Sequence, residues 1–465
     1  MSAETSTGVA DPTAHRPEPP SFGRFGGPIS DWRPEELSFW KHAGARVARR
    51  NLIFSIFAEH LGFSVWSLWS VFVLFMGPAY HVDTAGKFFL TTVPTVVGSV
   101  LRVPYTFAVA RFGGRNWTVF SAGLLLVPCV LASLVLHPGV SYTTLLLTAA
   151  VAGVGGGNFT SSMANINAFY PDRLKGAALG LNAGGGNVGV AAVQLIALLV
   201  LATAGKAHPR LILGIYIPLL VIAALGAALF MNNLTQLRND RHAMRDVSKN
   251  PHTWIISLLY IGTFGSFIGF GFAFGQVLQV QFKADFDTPI KAAYLTFLGP
   301  LLGSLIRPAG GALADRIGGA RVTLWNFAAM AAAAAVVLTA SVLKSLPAFL
   351  VGFVLLFVLS GIGNGSTYKM IPAIFRAKSQ LAVAAGADPV DAARESRRLA
   401  GALIGIAGSI GAFGGALVNI AFRESFLTYK SGNAAYIAFI AMYALCFAVT
   451  WTVYVRRSPR TLTGV

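Results

Sequence analysis

The sequence predicts an all-α membrane protein in which twelve transmembrane helices form two pseudo-symmetric six-helix halves. Composition is the first observation: of 465 residues, 55% are hydrophobic and 12% are charged, and the mean hydropathy is +0.64. A soluble globular chain carries about 25% charged residues. The second observation is that polar residues divide the chain into apolar runs of span length, about 20 residues each. The third is an internal repeat.

Twelve apolar runs are long enough to cross a bilayer. The predicted spans are 51–76, 88–110, 117–137, 144–168, 176–202, 211–232, 253–281, 291–314, 322–343, 348–375, 399–421 and 434–455. They divide the chain into an N-terminal tail (1–50), a first half (51–232), a linker (233–252), a second half (253–455) and a C-terminal tail (456–465).

The distribution of basic residues predicts the orientation of the spans. The two tails and the even-numbered loops hold 25 of the 36 Lys and Arg residues, the odd-numbered loops hold 8, and three lie within spans. Loops rich in Lys and Arg face the cytoplasm. Both tails and the linker are therefore predicted to be cytoplasmic, and residues 1–50 are interpreted as a tail rather than a secretory leader. A second polar cytoplasmic loop, in which a short amphipathic helix can form, is expected at 376–398.

Two arginines mark the internal repeat. Arg102 precedes Arg111-Phe-Gly-Gly by nine positions, and Arg307 precedes Arg316-Ile-Gly-Gly by the same nine, which gives an offset of 205 residues. Gly157-Asn158 and Gly363-Asn364 match within one residue of that offset. Transporters built from such repeats bind their substrates near the bilayer midplane, between the repeats.

These arginines are the first candidates for a binding site. Nine helical residues span about 13–14 Å, so each guanidinium is expected near the middle of a ~30 Å core. A charge there costs at least ~2.5–3.5 kcal/mol. One alternative is a structural ion pair, for which Glu59 is the available carboxylate in the spans. Otherwise two midplane cations predict a small anion with several acceptor oxygens: nitrate, nitrite, phosphate or a carboxylate.

Other functional classes find little support in the sequence. The net charge of +18 comes from basic residues between apolar runs, so nucleic acid is not an expected partner. Cys129 and Cys446 lie inside apolar runs, and neither a metal-ligand spacing nor a Ser/His/Asp set is evident. An enzyme, a cofactor and a metal are therefore not expected. Glu59 has two interpretations: it neutralises a basic side chain, or it carries a proton.

Glycine-rich stretches are the remaining feature. They occupy 153–157, 176–189, 361–365 and 401–415 inside apolar spans, where small residues let helices approach closely. With the flanking asparagines, the first three resemble the signature segments of the nitrate/nitrite porter family of the major facilitator superfamily. The segments 31–35 (DWRPE), 101–105 (LRVPY) and 259–270 also resemble that family, and 311–321 resembles a loop signature of the superfamily.

The resemblance implies an alternating-access carrier that acts as a monomer in the cell membrane. It implies that Arg102 and Arg307 clamp the anion, that Tyr260 and Asn187 donate hydrogen bonds to it, and that Phe159 and Phe264 pack on its faces. Nitrate/nitrite exchange is the expected activity. Nitrate/proton symport through Glu59 and transport of another small anion are the alternatives. Lys369 is expected to reach the cytoplasmic interface or to lie along the exit.

Overall fold

The computed structural model of the chain describes residues 23–205, 208–237, 241–286, 289–456, 462 and 465. Among these residues, eleven helices are long and apolar enough to cross a membrane. The remaining predicted span, 144–168, corresponds to residues 142–169, which are helical in three pieces that are each too short to cross a membrane: Tyr142–Ala152, a 3-10 turn at Gly153–Gly157, and Asn158–Phe169. The prediction of an all-α protein with twelve spans is confirmed.

Six spans form the first half of the bundle. They are α1 (Leu37–Phe75), α2 (Thr84–Phe112), α3 (Gly114–Val135), α4 (residues 142–169), α5 (Asp172–Ala204) and α6 (Arg210–Phe230). A linker helix, Arg241–Ser248, follows. Six spans form the second half: α7 (Pro251–Gln281), α8 (Lys291–Ile317), α9 (Gly319–Val342), α10 (Leu346–Ala384), α11 (Pro389–Tyr429) and α12 (Asn433–Val455).

The two halves meet along three pairs of helices: α2 packs against α11, α5 against α8, and α1 against α7. Glycines permit several close approaches. A Cβ atom on Gly156 of α4 would lie 2.7 Å from the Cα atom of Gly98 on α2, and one on Gly361 of α10 would lie 2.1 Å from the carbonyl oxygen of Gly303 on α8. The glycine stretches therefore contribute packing surfaces, as close helix crossings in membranes require.

The segment before α1 is docked onto the bundle at the end that carries the linker, here called the linker end; the other is the opposite end. Strand β1 (Pro28–Ile29) pairs in parallel with β2 (Asn233–Leu234) of the linker. Trp32 is buried, and its indole Nε1 donates to the carbonyl oxygen of Phe169 at 3.2 Å. The motif at 31–35 thus fastens the N-terminal segment to the end of α4.

Two boundaries differ from the predictions. Helix α1 begins at Leu37 rather than near residue 51. The segment 376–398, predicted to be a loop with at most a short helix, is helical for most of its length, because α10 continues to Ala384 and α11 begins at Pro389. Alanine and long charged side chains are good helix formers outside the membrane. The Asp388 carboxylate caps α11 by accepting from the backbone N–H groups of Val390 and Asp391 at 2.9 Å.

We predict that Trp32→Ala lowers the thermal stability of the detergent-solubilised protein. The substitution removes a buried indole and its hydrogen bond, and large-to-small changes of this kind cost about 3–5 kcal/mol. The matched control is Trp325→Ala, because Trp325 is 69% exposed. Equal melting temperatures for the two variants would contradict the docking of residues 28–35.

Candidate functional site

Arg102 of α2 lies fully buried at the centre of the bundle. Its Nε donates to the carbonyl oxygen of Gly156 at 3.0 Å, and its Nη1 donates to the carbonyl oxygen of Gly408 in α11 at 2.8 Å. The Gly156 oxygen is presented by the 3-10 turn of α4, whose hydrogen-bond geometry is poorer than that of an α-helix. Arg102 therefore joins the two halves through backbone carbonyls.

Arg307 of α8, from the second half, is 4% exposed and lines the cavity described below. Its Nη2 donates to the hydroxyl oxygen of Tyr260 in α7 at 3.1 Å. The Tyr368 ring of α10 lies 5.7 Å from its guanidinium carbon. Among the described residues, no carboxylate forms an ion pair with Arg307 or Arg102. The structure thus provides no support for the structural ion-pair interpretation.

Two phenylalanine rings lie beside both arginines. Phe159 of α4 and Phe264 of α7 stack with their centroids 5.9 Å apart. The guanidinium carbon of Arg102 lies 4.7 and 4.9 Å from these centroids, and that of Arg307 lies 5.8 and 5.9 Å away. Phe264 belongs to a π-helical turn, Ile261–Gly265, and Tyr260 immediately before it stacks on Phe264 at 5.1 Å. Such turns are frequent at functional sites.

Several buried polar atoms at the centre have no hydrogen-bond partner in the described structure. They are Nη2 of Arg102, Nη1 of Arg307, both amide atoms of Asn187 and of Asn364, and the hydroxyl of Tyr368. A buried donor without a partner costs about 1–3 kcal/mol, and more for a charged group. One free guanidinium nitrogen from each half is an arrangement that an anion with several oxygens would satisfy.

Glu59 of α1 is also fully buried, beside Asn182 of α5. The Nδ2 of Asn182 donates to the Glu59 Oε2 at 2.6 Å, and the Glu59 Oε1 has no hydrogen-bond partner among the described residues. Both arginines act electrostatically on this carboxylate without pairing with it directly. The structure therefore places Glu59 in a polar pocket of its own, within electrostatic range of the arginines.

A cavity of about 1920 Å³ extends from the linker end toward this centre. Helices α4, α5, α8, α10 and α11 line it, and Arg307 and Tyr368 are among its residues. Lys369 also lines the cavity, where its Nζ contacts the Asp315 carboxylate at 2.7 and 2.9 Å. Lys369 therefore forms an ion pair with a residue of the loop signature on α8 and lies in the wall of the cavity that leads to Arg307.

At the opposite end, the halves are packed together. The Phe88 ring of α2 stacks on Phe422 and Phe426 of α11, with centroids 6.0 and 5.6 Å apart. The Thr91 hydroxyl donates to the Asn419 Oδ1 at 3.0 Å. These aromatic and polar contacts close the opposite end, so the centre communicates with the linker end.

All six predicted binding residues are buried. Five of them, every one except Asn187, lie in direct contact with an arginine or with the ring pair. Sequence reasoning missed Tyr368 and Trp66, whose ring centroid is 5.3 Å from the Arg102 guanidinium carbon. Tyr368 follows Asn364 by one helical turn in a segment that the sequence already marks, so the i, i+4 spacing was an available signal. No comparable signal exists for Trp66 in the long apolar run of α1.

The chain was compared with protein families and known proteins. A model described as Major Facilitator Superfamily matches residues 52–419. Among solved structures, the E. coli xylose transporter XylE has a TM-score of 0.59 at 14% identity, over 88% of this chain and 98% of that one. A bacterial homolog of the human lysosomal transporter Spinster has a TM-score of 0.61 at 14% identity, over 86% and 95%. These likenesses show the fold.

Sequence relatives are more similar. The nitrate/nitrite transporter NarU of Salmonella typhimurium is 39% identical over 93% of this chain and 97% of its own length. NarU of Escherichia coli is 37% identical over 92% and 96%, and the probable nitrate/nitrite antiporter NarK2 of Thermus thermophilus is 31% identical over 92% and 97%. The chain therefore belongs to the nitrate/nitrite porter family of the major facilitator superfamily.

We predict that cysteines introduced at the two ends of the bundle react differently with a polar thiol reagent. Ala312→Cys lines the open cavity and should react readily, whereas Thr91→Cys lies in the closed contact and should react slowly. The two native cysteines are buried, so they give a low background. Equal labelling rates in the purified protein would contradict the cavity geometry.

Proposed function

We propose that this protein carries nitrate and nitrite across the cell membrane by alternating access, chiefly by exchanging one anion for the other. The observation that carries the proposal is the pair of buried guanidinium groups, one from each half. Each has a nitrogen without a partner, and both lie at the same ring pair. Relatives that match over most of their length are nitrate/nitrite transporters.

Nitrate and nitrite suit this site chemically. Both are planar or bent monovalent anions with acceptor oxygens at angles that a guanidinium fork can meet. A planar anion held between two rings needs their planes about 7 Å apart, since carbon contacts lie near 3.5 Å. The Phe159 and Phe264 centroids are 5.9 Å apart, so binding between them requires the rings to separate. The buried amide of Asn187 has no partner among the described residues, and we assign it to the remaining oxygen, although Asn187 does not contact the arginines or the rings directly.

Alternating access follows from the two ends of the bundle. An anion enters through the cavity and meets Arg307 first, because Arg307 lines the cavity whereas Arg102 is fully buried. Its negative charge reduces the repulsion between the guanidinium groups and lets the halves close around it. The contacts at Phe88 and Thr91 must then separate for release at the opposite end. In the empty site the two guanidinium groups repel each other more strongly, so the halves close less readily without an anion. This favours the exchange of one anion for another.

Orientation and assembly are part of this proposal. The linker end carries most of the Lys and Arg residues, so we place it, with both termini, in the cytoplasm. The protein then lies in the cytoplasmic membrane with its cavity open inward. Both arginines, the rings and the cavity belong to one chain, so a monomer is sufficient for transport. Nucleic acid plays no part in this proposal.

We predict that Arg102→Lys and Arg307→Lys each lower the kcat/KM of nitrate uptake into proteoliposomes by about 30–100-fold. Lysine keeps the charge but loses the planar fork, and a charge-assisted hydrogen bond is worth about 2–3 kcal/mol. Arg210→Lys, on an exposed side chain at the start of α6, is the matched control. Full activity in both site variants would contradict the clamp.

We also predict that nitrite inside proteoliposomes accelerates the uptake of labelled nitrate at least about tenfold, because a bound anion relieves the repulsion during return. One-for-one exchange moves no net charge, so an imposed membrane potential should leave this rate unchanged. Excess external nitrite should compete with labelled nitrate, whereas phosphate and short carboxylates should not. Stronger competition by phosphate would favour the alternative of a carrier for another small anion.

A further inference from the structure

Anion clamping assigns no role to the buried carboxylate of Glu59. Its surroundings are specific. The amide of Asn182 donates to Oε2, and the same Nδ2 lies 2.7 Å from the Ser162 hydroxyl oxygen. A Cβ atom on Gly186 would lie 2.2 Å from Oε1, so α5 passes the carboxylate with bare backbone. Oε1 itself is buried without a hydrogen-bond partner, which leaves it free to accept a proton.

The charged and titratable groups around Glu59 come from both halves. The positive charges of Arg102 on α2 and Arg307 on α8 interact electrostatically with the Glu59 carboxylate. The phenol of Tyr368 on α10 also lies within electrostatic range of it. The faces of α4 and α5 next to it present neutral groups, namely Ser162 and Asn182. Helix α7 has no ionisable side chain between Ser266 and Gln281. On α1 itself, the Nδ1 atom of His60 lies 3.2 Å from the carbonyl oxygen of Gly185.

We propose that Glu59 is a proton-binding site linked to the anion site, so that Glu59 takes up a proton when nitrate binds and releases it when nitrate leaves. This inference rests on the proposed function, because it takes nitrate as the ligand of the two arginines. The carboxylate oxygen Oε1 receives the proton from water in the cavity. The same O–H bond breaks on the other side of the membrane, and no other reactant is needed.

The sign of the linkage follows from the charges. With Glu59 ionised, the two arginines and the carboxylate sum to +1. A bound nitrate adds a second negative charge near the carboxylate, and a nearby like charge favours the neutral carboxylic acid. Nitrate and a proton together return the sum to +1. By reciprocity, a protonated Glu59 strengthens nitrate binding by the same factor by which nitrate strengthens proton binding.

Glu59 lies behind the cavity wall, separated from it by Asn182 and Met163. Met163 and Ala183 line the cavity wall, and Asn182 lies directly behind them with its Nδ2 3.5 Å from the Met163 Sδ. A small movement of the flexible methionine side chain would admit water to the carboxylate. The proton and the anion therefore reach the centre from the same cavity, which is a condition for loading them together.

Linked proton binding also explains how an empty carrier can return. An ionised Glu59 offsets one of the two positive charges, whereas a protonated Glu59 leaves +2 in the apolar centre. Return of the empty carrier then requires proton release, and each such cycle carries one nitrate with one proton. Exchange of nitrate for nitrite bypasses this requirement, because both anions cross with Glu59 in the same protonation state.

The direct test is isothermal titration of the purified protein with sodium nitrate at one pH, in buffers of different ionisation enthalpy. The slope of the observed enthalpy gives the number of protons taken up per nitrate. We expect a positive slope of up to one proton for the wild type at a pH between 5.5 and 8.5, and a slope of zero for Glu59→Gln. Nitrate binding with zero slope throughout this range in the wild type would overturn the proposal, whereas absence of nitrate binding would overturn the proposed function instead.

Transport assays in proteoliposomes test the same proposal independently of the binding measurement. Glu59→Gln should retain nitrate/nitrite exchange, which also shows that the variant is folded, and should lose at least about tenfold of the nitrate uptake driven by an acidic exterior without internal anion. His60→Gln is the matched control on the next residue and should keep both activities. Glu59→Asp should restore part of the acid-driven uptake. Retention of that uptake in Glu59→Gln, or its loss in His60→Gln alone, would refute the assignment to Glu59.

Discussion

Two guanidinium charges held in the apolar centre of the bundle are the constraint on which the rest of the site depends. Neither is neutralised by a carboxylate in the described structure, so backbone carbonyls, a phenol and aromatic faces must replace water around them. A cation over an aromatic face gains about 0.5–2 kcal/mol, more when it is desolvated. Arg102 lies within 6.0 Å of four ring centroids, and Arg307 within 5.9 Å of three. This solvation is incomplete, because one guanidinium nitrogen of each arginine has no partner among the described residues, and the proposed anion would complete it.

Irregular helices provide this solvation. The 3-10 turn of α4 directs the Gly156 carbonyl to Arg102, and the π-helical turn of α7 brings Tyr260 and Phe264 into one stack. Glycine is required where these segments cross their neighbours, because a Cβ atom on Gly156 would overlap the backbone of α2. The bond from Arg102 to the Gly408 carbonyl spans the halves. Any rocking of one half against the other must therefore alter the environment of this arginine.

Much of the architecture could be predicted because lipid imposes it. The span pattern, the repeat of 205 residues and the depth of the arginines all follow from hydropathy and helical rise. The packing of Phe159 on Phe264 could not be predicted from spacing alone, since 34 phenylalanines give no basis for choosing two. The role of the 3-10 and π turns was likewise hidden, because tertiary contacts rather than local sequence select them. The polar composition of residues 376–398 suggested a loop, but many residues there favour helix, and α10 and α11 therefore extend beyond the membrane.

The central claim is that one anion joins both arginines at the ring pair. The most direct measurement is an experimental structure of the protein with nitrate at saturating concentration. The account predicts a planar anion within about 3 Å of the Arg102 Nη2 and the Arg307 Nη1, with the Phe159 and Phe264 rings moved apart to about 7 Å. An anion found elsewhere in the cavity, for example at Lys369 or Arg376, with the two rings still stacked on each other, would contradict it.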